Sequence, residues 1–144
     1  MASELSKLVR LVARLRSPEG CPWDREQTHE SLLRYLREEA GEVEQAVKGG
    51  RWDELEDELG DLLLQVLLHA EIASERGDFD IEDVARAQYL KLKRRHPHVF
   101  GDLKFKTGAE VKLNWKVIKD AERKLRAQDL ARRARAPKRR ASAA

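Results

Sequence analysis

Two adjacent glycines, Gly49 and Gly50, interrupt a stretch rich in helix formers, LREEAGEVEQAVKGGRWDELEDELGD, from Leu36 to Asp61. Glycines in this role end helices, so the stretch reads as two helices folded into a hairpin. Each arm holds a carboxylate pair, Glu39 with Glu42 and Glu58 with Asp61, at a three-residue spacing that shares one helix face. Folding at the double glycine can bring both pairs together. Four converging carboxylates repel one another unless a cation lies between them. A donor set made only of oxygen suits a hard divalent ion, Mg²⁺ or Mn²⁺, rather than zinc.

At about 100° per residue, Leu32, Leu36, Val43 and Val47 form one apolar stripe, with Glu39 inside it and Glu42 at its edge. The expected stripe on the following helix is Leu55, Leu59, Leu62, Val66 and Ala70, flanked by Glu58, Asp61 and Gln65. A solvated acidic face accounts for Glu44, Asp53, Glu54 and Asp57. It does not account for Glu39, because a glutamate in a core stripe is costly unless paired or metal-bound.

The rest of the chain supports an all-α reading. Aromatic residues make up 6% and charged residues 38% of 144 residues, the profile of a helical protein rather than a β-sandwich. One domain is expected at this length. Leu5, Leu8, Val9, Val12 and Leu15 place a first helix after Ser3, and RSPEGCPWDREQ reads as a loop with Trp23 as a plug at the core edge. Thr28 opens the second helix, and Asp53 with Glu56 resembles a capping box for a third helix that runs to Arg76. Its middle, LLLQVLLHA, is apolar nearly all round, which predicts burial against a second copy of the chain, and His69 within it reads as a core histidine.

A fourth helix is expected from Asp80 and Asp83 to Pro97, with Ile81, Ala85, Gln88 and Leu92 on one face and Lys91 and Arg95 sharing a face. HPHVFGDLKFK, with His96 and His98, reads as a loop. Thr107 with Glu110 reads as another capping box before a fifth helix lined by Val111, Trp115, Ile118 and Leu125. The apolar pattern fades near Gln128, so the expected boundaries are a domain over residues 1–127 and a flexible basic tail over 128–144.

A lone cysteine, Cys21, makes no internal disulfide and points to a reducing cytoplasm. No signal peptide and no membrane span are expected, since the longest apolar run, Leu62 to Ala70, is too short for a bilayer. From Arg123 onward nine Lys and Arg face one acid, Asp129, which leaves residues 1–122 at net −5 within an overall +3. The basic appendage keeps open a second function class, a helical binding module that docks on nucleic acid or an acidic partner.

An acidic pocket holding metal calls for an anionic substrate, and metal-activated water attacking phosphorus is the reaction this equipment best supports. Here a resemblance enters. Glu38-Glu39-x-x-Glu42 followed by Glu58-x-x-Asp61 is similar to the signature of the MazG family of nucleoside triphosphate pyrophosphohydrolases. CPWDREQTHESL, ELGDLLLQVLLHAEIA, KLKRRHPHVFGD and NWKVIK look like the family in the same order, over about residues 5–122.

The resemblance implies a four-helix-bundle-like all-α fold of about five helices, working as a homodimer or a dimer of dimers. It implies Mg²⁺-dependent cleavage of nucleoside triphosphates to the monophosphate and pyrophosphate, in nucleotide-pool house-cleaning. By motif position, Glu39, Glu42, Glu58 and Asp61 would be metal ligands, and Glu38 an outer acid that orients or deprotonates water. Lys91 and Arg95 would grip phosphates, with Lys119 assisting. Trp115 would face the nucleotide, beside its other reading as a core residue of its helix.

Overall fold

The computed structural model describes residues 1–136, which form eight helices and no strand. In order they are α1 (Glu4–Arg16), α2 (Pro22–Glu26), α3 (His29–Lys48), α4 (Trp52–Glu75), α5 (Ile81–Arg95), α6 (Pro97–Phe100), α7 (Gly108–Leu113) and α8 (Trp115–Arg135). The all-α class holds, with three helices more than expected. Both proline-containing loops harbour a short helix, Pro22 and Pro97 being tolerated in a first turn where no amide hydrogen is needed. The expected fifth helix is split at Asn114, which caps α7 and precedes α8, its Nδ2 donating to the Glu110 carbonyl at 2.8 Å.

The chain divides into two compact units, Met1–Ile81 and a second beginning at Glu82. In the first, α3 and α4 form the hairpin, α1 packs on α4 and α2 on α1. Its sharp corner is Gly50, at φ 64°, with Gly50 N–H donating to the Val47 carbonyl and Arg51 N–H to that of Ala46. This pair of bonds closes a helix only when the intervening residue is left-handed, which glycine adopts without penalty. Gly77, at φ 75°, ends α4 in the same way.

Thr28 and Ser31 form a reciprocal capping box at the start of α3. The box expected from Asp53 and Glu56 is not formed: the tight corner starts α4 at Trp52, with Arg51 as cap and no side-chain cap bond. At Thr107 only half of the expected box forms, Thr107 accepting from the Glu110 amide while the Glu110 carboxylate takes the Lys106 amide instead.

The core of this unit is Val12, Leu32, Leu67, Leu68 and Ile72, with Leu8, Val9, Tyr35, Leu64 and Ile81 packed against it. Each such side chain contributes about 1.5–3 kcal/mol on burial. The buried face of α4 is therefore turned from the expected one, of which Ala70 is buried and Leu55 and Leu62 half-buried. Leu59 and Val66 stay 49% and 41% exposed while Leu67 and Leu68 go inside. On a helix apolar all round, spacing alone does not select which face meets its neighbours. Trp23 is half-exposed, its ring edge-on at 5.6 Å to Tyr35, which itself packs against the core.

A buried arginine ties the unit together. Arg16, its side chain 6% exposed, grips Glu75 through two bonds of 2.8 and 3.0 Å and donates to the carbonyls of Asp24 and Gln27. In the second unit Arg95 pairs with Glu122 and Arg94 with Asp129, joining α5 to α8. The face expected on α5 is not buried: Ala85, Gln88 and Leu92 are exposed, and ion pairs join the helices instead. α8 runs on to Arg135, past the expected boundary at Gln128, because Ala, Arg and Leu sustain a helix without a core face. Residues 137–144 of the expected tail lie outside the described residues.

Candidate functional site

Glu39 comes from the middle of α3 and Glu58 and Asp61 from the early turns of α4. The hairpin brings these three together, one carboxylate oxygen of each lying within 4.8 Å of the others. Glu39 and Glu58 are half-buried and Asp61 is exposed. Burial first, and then the charges of Asp61, Glu58 and Glu42, push the Glu39 carboxyl above the usual carboxylate range. Glu58 is raised in the same sense by loss of hydration and by Glu42 and Asp61. Glu42 is exposed and contributes its charge to the cluster without a ligand atom inside that distance. Glu38 is exposed and is the weakest of the acids acting on Glu39.

Repulsion of this kind is relieved by a cation. The donors are oxygen alone, and no histidine or cysteine joins the three acids, so the residues present fit Mg²⁺ or Mn²⁺ better than zinc. Beyond Asp61 the same face of α4 stays polar. Gln65, one turn on, is 6% exposed and its Oε1 has no hydrogen-bond partner among the described residues. His69, a further turn on, is half-buried, its ring stacked on His29 with the two Nδ1 atoms 2.8 Å apart. Burial and then His29 lower its tendency to take a second proton. His69 is thus one of a histidine pair rather than an isolated core residue.

The expected phosphate-binding residues lie in the second unit. The Arg95 guanidinium carbon stands 5.5 Å and the Lys119 Nζ 5.7 Å from the centre of the Trp115 ring, so these three form one group. Both cations attract the ring face. Trp115 is half-buried rather than sealed in a core. Lys91 is half-buried on α5. Arg95 is largely committed inside the chain, its Nε and second terminal nitrogen both donating to Glu122. That arginine holds the Glu122 carboxyl below the usual range despite 5% exposure.

Glu122 is the residue that the sequence reading missed. The signal was present: Trp115, Ile118, Glu122 and Leu125 follow one helical stripe, which sets an acid among apolar positions as at Glu39.

Comparison with known proteins gives matches in both sequence and fold. Residues 27–100 match the MazG nucleotide pyrophosphohydrolase domain. The nucleoside triphosphate pyrophosphohydrolase/pyrophosphatase MazG of Thermotoga maritima is 59% identical over 96 residues, 67% of this chain and 38% of that protein. The nucleoside triphosphate pyrophosphohydrolase of Escherichia coli K12 is 45% identical over 127 residues, 88% of this chain and 48% of the relative. The chain thus spans about half or less of the length of these curated relatives. The crystal structure of a mazG-related protein from Thermotoga maritima matches with a TM-score of 0.63 at 34% identity, over 77% of this chain and 97% of that one. A domain match across half the chain, together with a helical neighbour of this similarity, leads to one assignment: the chain belongs to the MazG nucleotide pyrophosphohydrolase family.

Proposed function

We propose that the chain hydrolyses nucleoside triphosphates to the monophosphate and pyrophosphate with Mg²⁺, or Mn²⁺, at the acidic hairpin. The observation that carries the proposal is the convergence of Glu39, Glu58 and Asp61 from two helices. In this reading those three hold the metal, with Glu42 as a fourth ligand or its outer partner. The bound metal supplies charge neutralisation at the phosphates and acidifies water.

Glu38, exposed and next in sequence to Glu39, orients the attacking water and accepts its proton as the α–β phosphoanhydride bond breaks. Lys91 and Lys119 neutralise phosphate oxygens. Arg95, anchored on Glu122, presents a fixed guanidinium beside Trp115, whose face receives the nucleotide. The names of the two relatives, both nucleoside triphosphate pyrophosphohydrolases, support the same reaction class.

The proposal extends to assembly and setting. Leu59, Leu63 and Val66 follow one face of α4 and remain exposed, an apolar strip suited to a second copy of the chain. No helix among the described residues is long and apolar enough to cross a membrane. A single cysteine suits the reducing cytoplasm, where house-cleaning of standard or damaged nucleotides takes place.

The test is product identification. A triphosphate panel with Mg²⁺ releases pyrophosphate, and no orthophosphate appears without added pyrophosphatase. Orthophosphate as the first product would sink the reading.

A further inference from the structure

Between α5 and α8 runs a groove of about 290 Å³. α5 lines it with Arg86, Lys91 and Arg94, and α8 with Arg126, Arg132 and Arg133. These six cations face one lining carboxylate, Asp129, which is already shared between Arg94 at 3.0 Å and Arg132 at 3.1 Å. Arg94 is enclosed, with a side chain 17% exposed and a buried Nε that has no hydrogen-bond partner among the described residues. Cations held this close repel one another, and an anion in the groove relieves that repulsion.

The rest of the lining says what kind of anion. Ala87, Leu90 and Leu130 complete it, and among the described residues no aromatic ring lines it for a base to stack on. The groove therefore offers contacts to phosphate and leaves the remainder of a ligand outside. From Arg86 to Arg94 the helix covers about 12 Å, and each strand of a duplex offers one phosphate per about 3.4 Å of rise along the duplex axis. Laid along that axis, the row of cations spans the rise of about three phosphates. The sequence continues the same charge after α8 with Lys138, Arg139 and Arg140.

We propose that the α5–α8 groove binds the phosphate backbone of duplex nucleic acid, independently of base sequence. This goes beyond triphosphate hydrolysis, and it moves nucleic-acid contact from the terminal tail alone to a pair of helices.

The test is fluorescence anisotropy of a short labelled DNA duplex with the full chain. With about four phosphates neutralised, affinity falls about 100-fold between about 50 and 200 mM salt, equally for unrelated base sequences. R126A/R133A weakens binding about tenfold or more at low salt and lowers the salt slope by about two. R123A/R135A removes the same charge from the same helix outside the groove and weakens binding less than about threefold. Pyrophosphate release is unchanged in both variants, and circular dichroism shows both folded.

Equal losses in the two variants would overturn the proposal, since diffuse charge would then suffice. Absence of salt-dependent binding would overturn it as well. So would loss of hydrolysis in R126A/R133A, because the groove would then belong to the triphosphate. Failure of any of these leaves the hydrolase reading intact, since pyrophosphate release is measured separately.

Discussion

Glu39 stands half-buried among carboxylates that raise its affinity for a proton. Replacing it by glutamine removes a repulsive charge and, in the proposed function, a metal ligand. Glu39→Gln and Asp61→Asn are therefore expected to lower kcat/KM by about 100-fold or more, beyond the usual cost of an outer-shell change. The metal-free melting temperature of Glu39→Gln should stay level or rise. Mg²⁺ at 100 times its Kd should stabilise the wild type by about 2.7 kcal/mol and the variant by much less, as read by differential scanning calorimetry. Full turnover in both variants would remove these residues from the site.

Glu122 works in the opposite sense. The Arg95 hydrogen bond depresses its carboxyl, so the folded chain holds it charged where the unfolded chain would protonate it. The stability it supplies is present above the ordinary carboxylate range, near pH 4.3, and is lost as pH falls through the lowered value. Glu122→Gln should cost about 2 kcal/mol at pH 7, with wild-type and variant denaturation midpoints converging in acid. A constant gap down to the lowest pH would contradict the pairing.

At the scale of elements, α1, α2 and α4 meet at Arg16 and α3 meets α4 at the histidine pair. Removing Arg16 leaves Glu75 without its partner and frees two carbonyls. Arg16→Ala should destabilise the chain by about 3 kcal/mol, toward the lower end for a broken buried ion pair because Glu75 is partly exposed. The reading is a chemical-denaturation midpoint. His69 resists protonation through burial and His29, whereas the unfolded chain takes up that proton near pH 6.5. Folding stability from this group therefore falls as pH drops below about 6.5. The difference between wild type and His69→Gln, measured by urea denaturation from pH 7.5 to about 5.5, isolates that slope, and parallel profiles would exclude it.

For the whole molecule, the decisive surface is the exposed strip of α4. Leu63 is 36% exposed, between Leu59 and Val66 on the same face. If two copies pair there, Leu63→Glu should convert the assembly to monomer by light scattering at micromolar concentration while far-UV circular dichroism is retained. An unchanged mass would place any interface elsewhere. Much of the hairpin was legible from residue spacing, because Gly49-Gly50 and the two acid pairs act through local helix geometry. Legible for the same reason were Ser3, Thr28 and half of the Thr107 cap, each serving an amide three residues away.

Local periodicity and backbone preference, acting over one or two turns, were enough to determine an all-helical chain, the hairpin corner and the two acid pairs on its arms, while which three of those four acids meet was decided by the packing of α3 on α4. Which face of α4 went inside was decided only in three dimensions, because Leu67 and Leu68 are as apolar as Leu59 and Val66 and packing against α1 and α3 selects between them. The long-range partners Arg16–Glu75 and Arg95–Glu122 belong to the same class. A charge pair separated by many residues leaves no periodic trace in the sequence, and it exists only once the helices that carry it have packed.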